Sequence, residues 1–453
     1  MPTQEAGYVE DAAALLPPPA RHARPVLLDG GGADSWGDGT GIFSHSPRAT
    51  LEIFASGRGR WVQDGREHWL QDAPLAQWQT FLEQAPVGTV DRAAAGFVTV
   101  LGYDLKHWIE RLPRRHPWPT TPILFCAFYD WTYRLDHRAR RAWIGAPTAL
   151  DLRRRADELR RLATAPRAVP PTPAPLQAAM TPAEYLRMVE RALAYIAAGD
   201  AYQINLAQCF DAAAGATPPA SLFAAWRARY PMPFAAYVDG DPWVVLSNSP
   251  ECFFVSGGRT VSTFPIKGTR RAHTGAQTLA DDPKERAEHV MIVDLERNDI
   301  GRVCRTGTVE VVDMASTRGY PLLSHLISEV RGTLRREASL PALVAAMFPG
   351  GSITGAPKIR AMEIIEELEP RGRGFYTGAI GWTGLDGRSR FNLAIRTAVF
   401  ADGRVTYHAG GGIVADSVPE REYEETLLKS EAFVDAWASM GEGHPCGRLA
   451  SSS

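Results

Sequence analysis

A lysine and four glutamates carry the first chemical reading of the chain. Lys267 stands in Pro265-Ile-Lys-Gly-Thr269, on a glycine-flanked turn after an apolar strand pattern. A lysine taken out of water holds its proton less tightly and becomes a nucleophile or base. A solvated lysine in a tight turn is the plainer alternative. Glu288 lies in a helical run, Asp282 to Asp299, among Val290, Met291, Ile292 and Val293, so its carboxyl can face a pocket. Glu422 and Glu425 stand three apart on a closing helical run, 420–440, and share a face. Carboxylates so placed can hold Mg²⁺, which takes oxygen ligands and keeps waters for a substrate to displace. Salt-bridged or solvated helix faces account for the same spacing. Glu251 follows Ser249-Pro250 at a strand end, where a carboxyl group can be aimed inward.

The cations and loops are consistent with an anionic ligand. Arg396 sits in the apolar run LAIRTAV, where a guanidinium needs a partner, either a core carboxylate or a ligand. Lys429, four residues after Glu425, shares its helix face and can reach a second anion. The loop Gly350-Gly-Ser-Ile-Thr-Gly-Ala-Pro-Lys358 runs into a helix N-terminus, which favours anions. It lacks the Lys-Ser or Lys-Thr of a phosphate-binding Walker loop. Gly410-Gly-Gly412 follows a strand and allows close backbone approach, or marks a bulge. His325 lies in an alternating strand pattern as a satisfied core histidine or, less commonly, a general acid or base. These residues define an enzyme-like site for a small dianion, with Mg²⁺ as a candidate ligand.

The elements that must position them belong to a protein of 453 residues, 45% hydrophobic and 22% charged, with a formal net charge of −2. That balance gives no electrostatic case for nucleic acid or an anionic membrane. The five cysteines are widely separated and form no CxxC, which fits a reducing cytoplasm. The N-terminus lacks the apolar core of a signal peptide, and no apolar run is long enough to cross a bilayer. Residues 1–24 read as a flexible arm and 25–163 as an N-terminal subdomain rich in strand patterns. Residues 164–180 read as a proline-rich linker, 181–440 as the catalytic domain, and 441–453 as a disordered tail. Thr181-Pro-Ala-Glu184 is a capping box opening a helix that Gly199 ends. Strands and helices do not strictly alternate, so an α+β fold is expected.

Six stretches then carry a family resemblance: PIKGTRR, AEHVMIVDLERNDIGRV, GGSITGAPKIRAMEIIEELEP, YTGAIGW, FNLAIRT and AGGGIVADSVPEREYEET. Together, in this order, they resemble the chorismate-utilising enzymes. That family includes component I of anthranilate synthase and of aminodeoxychorismate synthase, and the isochorismate and salicylate synthases. The resemblance is strong from Thr181 to Trp437 and weak from Pro25 to Ala163. It implies two packed antiparallel β-sheets with outer helices, as in anthranilate synthase component I, with Mg²⁺ as cofactor and chorismate as substrate. Glu288 and Glu425, with Glu422 close by, resemble the metal ligands. Arg396 and Tyr376 resemble the clamp on the enolpyruvyl carboxylate. Lys429 and the backbone of Gly410, Gly411 and Gly412 would meet the ring carboxylate, with Ser352 nearby and Thr269 of PIKGT a further substrate-binding residue. His325 matches a histidine near the departing hydroxyl, and Glu251 a glutamate proposed as general acid/base.

Two positions choose within the family. Anthranilate synthases usually carry PIAGT, whereas PIKGT is similar to the aminodeoxychorismate synthases, whose lysine is thought to attack C2 of chorismate before ammonia attacks C4. Isochorismate and salicylate synthases carry a water-activating lysine where this chain has Gln203, which cannot act as that base. The resemblance therefore implies ammonia as nucleophile, supplied by a separate glutamine amidotransferase, since no cysteine lies in a Gly-x-Cys-x-Gly turn. With no pyruvate-lyase extension expected, the product implied is 4-amino-4-deoxychorismate, on the way to folate. Anthranilate synthase component I is the nearest alternative. Cys252 replaces the arginine that many relatives carry after the Ser-Pro-Glu glutamate. Gly30, in LLDGGG, lacks the serine hydroxyl tied to tryptophan binding in relatives, so no tryptophan feedback is expected.

Overall fold

The computed structural model describes residues 3–16, 23–30, 39–87, 92, 94–164, 172–271, 283–319 and 323–441; the side chains of 268–271, 283–285, 317–319 and 323–325 are not included in that description. Most of the expected tail lies outside it. Two large sheets, each of twelve strands among the described residues, make up the frame. Neighbouring strands run antiparallel. Val26, Leu28 and Val245 of one sheet pack with Val98, Val100 and Phe125 of the other in a single apolar cluster, which closes the sandwich. The expected α+β architecture of two packed antiparallel sheets with helices outside is what forms.

Local sequence explains the helices that matter for the site. Thr181 accepts from the Glu184 amide, and the Glu184 carboxylate accepts from the Thr181 amide, so Pro182–Ala197 starts with both halves of its capping box made. Its Tyr185, Met188, Val189 and Ala192 pack with Ile204, Leu206, Ile364, Ile365 and Ile413. In Pro283–Gly301 the buried positions are His289, Ile292, Val293, Glu296, Asp299 and Ile300, one inward stripe with three titratable side chains in it. Lys358–Leu368 follows the glycine-rich loop, and Pro419–Ala438 closes the described fold.

Several expectations change. Residues 3–16 are not a loose arm: Thr3–Ala6 pairs with Arg141–Gly145, and Ala12, Ala13 and Leu15 are buried. Nor is the proline-rich stretch free of packing, because Gln177–Ala178 adds to Gln203–Ala213 and the Trp437 indole donates to the Ala174 carbonyl. Both sheets draw strands from either side of that stretch, so it does not divide the sandwich. The run 123–136 is two strands, Leu124–Tyr129 and Thr132–Asp136, one in each sheet.

Arg396 is also displaced from its expected place inside a strand. It falls between Ser389–Leu393 of one sheet and Thr397–Ala401 of the other, with φ +47°. Glu251 occupies the matching crossover between Val244–Ser249 and Cys252–Gly257. The two crossovers are hydrogen-bonded to the neighbouring chain: the Leu393 amide donates to the Glu251 carbonyl and the Asn248 amide to the Arg396 carbonyl. Where the chain changes sheets, it turns a carboxyl and a guanidinium toward one cavity.

Candidate active site

That cavity has a volume of about 280 Å³ and is lined by Glu251, Lys267, Glu288, Ser352, Tyr376, Arg396, Gly410, Gly412, Glu422, Glu425 and Lys429. Residues from Glu251 to Lys429 in sequence thus meet at one place. Gly411 lies at its wall: a Cβ there would come within 3.3 Å of both the Glu422 and Glu425 carboxylates. Thr269 and His325 lie on the strands Ile266–Arg271 and Leu323–Thr333, but their side chains are outside the described residues.

Lys267 is half-buried, and its Nζ donates to Gln203 Oε1 at 3.1 Å. Gln203 is fully buried, and among the described residues its Nε2 has no hydrogen-bond partner. Gly412 has no room for a side chain, because a Cβ would lie 2.9 Å from Gln203 Nε2 and 3.2 Å from Lys267 Nζ. Burial lowers the Lys267 pKa, and the Lys429 charge acts the same way, while Glu288, Glu251 and Glu425 oppose both. The result is an amine nearer its neutral, nucleophilic form.

The carboxylates split into two kinds. Glu425 is bound by Lys429 at 2.5 Å, and that ammonium holds its carboxyl below the usual range. Lys429 also donates to the Gly410 carbonyl at 3.0 Å, tying the closing helix to the glycine strand. Glu422 accepts from the Ser417 hydroxyl at 2.6 Å, and burial, with Glu425 and Glu288 adding their repulsion, raises its pKa. Glu251, like Glu422 and unlike Glu425, is pushed up, in its case to about 7, chiefly by burial, although Ser352 donates to its Oε1 at 2.6 Å.

Three contributors escape the sequence reading. His408 lines the cavity and stacks on Tyr376, with ring centres 5.0 Å apart and planes 12° from parallel. Burial lowers its pKa to about 3, so it is neutral there. The period-two pattern of Arg404–Ile413 places it on the same face as Gly410 and Gly412, a signal available in advance. Arg373 braces the site from beneath by pairing with Glu369 and donating to the carbonyls of Asn205 and Ile353. The contact with Asn205 spans 168 residues of sequence and leaves no local pattern. The third, Glu296, lies in the inward helix stripe.

An antiparallel sandwich holding carboxylates, two lysines and an arginine round one small cavity defines an enzyme for a compact, polyanionic substrate. Residues 27–435 match the family described as chorismate binding enzyme, and the chain belongs to that family. Its relatives divide between two reactions. Anthranilate synthase component 1 of Streptomyces coelicolor is 39% identical over 394 residues, covering 80% of this chain and 77% of that protein. Aminodeoxychorismate synthase component 1 of Bacillus subtilis is 36% identical, covering 75% and 76%, and that of Escherichia coli is 34% identical, covering 89% and 91%. The crystal structure of anthranilate synthase component I from Streptococcus pneumoniae superposes with a TM-score of 0.75 at 27% identity, covering 92% of this chain and 94% of that one.

Proposed function

We propose that the chain is an aminodeoxychorismate synthase component 1, which replaces the C4 hydroxyl of chorismate with an amino group. The observation that carries this reading is Lys267: an amine inside the cavity, deprotonated more readily by burial and held by Gln203. In the proposed route its Nζ attacks C2 as the ring double bonds shift and the C4 hydroxyl leaves with a proton from Glu251. Ammonia then attacks C4, and the lysine departs from C2. Chorismate and ammonia give 4-amino-4-deoxychorismate and water, and pyruvate stays attached. Arg396 and Tyr376 would grip the enolpyruvyl carboxylate.

Mg²⁺ belongs to the same proposal. Among the described residues no three Asp, Glu, His or Cys side chains converge into a finished metal cage. Mg²⁺ does not require one, since it commonly binds one or two carboxylates plus substrate oxygens and water. Glu425 and Glu288 would hold it, with Glu422 alongside. Burial raises the Glu422 pKa and repulsion from Glu425 and Glu288 adds to it; a cation would relieve that repulsion, so the all-oxygen donor set fits. When bound, the ion would supply positive charge that favours loss of the hydroxyl from the ring. A separate glutamine amidotransferase supplying ammonia, a role in folate synthesis and a cytoplasmic setting complete the proposal. Among the described residues no helix is long and apolar enough to cross a membrane.

The test is to incubate the purified chain with chorismate, Mg²⁺ and an ammonium salt. Aminodeoxychorismate without pyruvate release is expected. Fluorescent anthranilate with an equivalent of pyruvate would establish the second reading, which the Streptomyces coelicolor relative favours. Without ammonia, mass spectrometry should find a chorismate-derived adduct on the wild type and none on Lys267→Ala. Absence of adduct, with turnover retained in the variant, removes the covalent role.

A further inference from the structure

Eight residues beyond Glu288 on the same helix, Glu296 turns a second carboxyl into the protein, outside the cavity lining. It is 5% exposed. Its hydrogen-bond partner among the described residues is the Thr263 hydroxyl. That hydroxyl oxygen also lies 2.8 Å from the Phe253 carbonyl oxygen. A hydroxyl has one proton to give, and a backbone carbonyl has none. If Thr263 gives its proton to Glu296, two bare oxygens face each other at Phe253. If it gives it to Phe253, the short contact with Glu296 requires a proton on the carboxyl. The second arrangement satisfies all three groups.

The charges around Glu296 agree. Among the described residues, the charges that act most on it are Glu251, Asp299 and Lys358. Lys358 is occupied elsewhere, paired with Asp299 at 2.5 Å and donating to the Met347 carbonyl at 2.9 Å. A carboxylate buried without a bonded cation is costly and takes a proton instead. Burial pushes the Glu296 carboxyl up to about 8, with Glu251 and Asp299 adding to the rise against Thr263 and Lys358.

We propose that Glu296 is a proton-bearing positioning residue. Its carboxylic acid donates to Thr263 and so fixes the backbone at Phe253, two residues beyond Glu251. It also leaves the ground behind Glu251 uncharged. An ionised Glu296 would repel a second charge at Glu251 and hinder that group from giving up its proton. The inference rests on Glu251 acting as the acid of the proposed reaction.

Glu296→Gln keeps a neutral side chain with an N–H donor for Thr263. Infrared difference spectra of wild type against Glu296→Gln near pH 7, without chorismate, should show one protonated-carboxyl C=O band lost. The pH limb of chorismate consumption, followed whatever the amine product, should stay within a few tenths of a unit. Loss of an ionised carboxylate band instead, or a limb lowered by about one unit, overturns the proposal. If Glu296→Gln does not fold, Thr263→Val serves: the protonated band should move as its acceptor disappears, and an unmoved band overturns the proposal. The infrared result is read on the resting protein, so it stands or falls independently of which product is formed.

Discussion

Glu425 and Glu251 line the same cavity, yet their surroundings hold their protons in opposite ways. Glu425 sits one helical turn before Lys429, and that ammonium keeps it ionised. Glu251 sits at a sheet crossover where burial dominates and its donors are a serine hydroxyl and the Ile266 amide, so its pKa is pushed up to about 7. A local i, i+4 partner makes a charged acid, suited to a cation or to fixed electrostatics. A buried acid without a bonded cation can gain and lose a proton near neutrality, as a general acid must. Nearness to one cavity does not assign a role; the partner each carboxyl is given does.

The largest effect should come from breaking the charged side. Glu288→Gln or Glu425→Gln should lower chorismate turnover roughly a thousandfold or more, because lost charge stabilisation in a dry site costs several kcal/mol. Thermal unfolding should change little, since neither carboxyl supports the sandwich core. Raising Mg²⁺ should partly restore a variant whose ligand set is weakened. A variant with full turnover in the presence of a chelator would remove these residues from any metal role.

On the other side of the comparison, Glu251→Gln should cost about a hundredfold, the usual share of one general acid. Its signature is in the pH profile. The acid form of Glu251 is the active one, so the rate per unprotonated ammonia should fall as pH rises through about 7. In Glu251→Gln that limb should vanish. A rate that instead rises through pH 7 would make Glu251 a base, and the two acids would no longer differ in the way described.

Half of this contrast is legible in the sequence. Glu422, Glu425 and Lys429 stand on one helix, so their spacing alone gives a shared face. The capping box at Thr181 is likewise local and forms as read, whereas Lys267, read on a turn, lies in the strand Ile266–Arg271, and Gly410–Gly412, read as following a strand, lies inside Arg404–Ile413. Glu251 and Arg396 are different. Their setting depends on two places where the chain passes from one sheet to the other, and a continuous apolar run such as LAIRTAV conceals the break. The N-terminal strand is hidden in the sequence for a related reason: Thr3–Ala6 is mostly polar and exposed, and its pairing with Arg141–Gly145 makes it a strand. The Arg373–Glu369 brace is local as a pair, but its purpose lies in carbonyls of Asn205 and Ile353 that only folding brings near.

The smallest effect tests the contrast most closely. Ser352 donates to Glu251 Oε1 at 2.6 Å, and that bond favours the ionised acid, working against burial. Ser352→Ala removes this donor and leaves the burial and the Ile266 amide in place. The Glu251 pKa should therefore rise, by roughly 1–2 units for one net hydrogen bond to a charged group. Because the acid form is the active one, the alkaline limb of kcat/KM should move to higher pH. At pH 8 the variant should then keep a larger fraction of its own maximum than the wild type does. The serine also lies where a substrate carboxylate is proposed to bind, so KM should rise as well. The limb in kcat/KM belongs to the free enzyme, and that separates the two effects. A limb that stays in place while KM rises would mean that Ser352 serves the ligand and not the proton on Glu251.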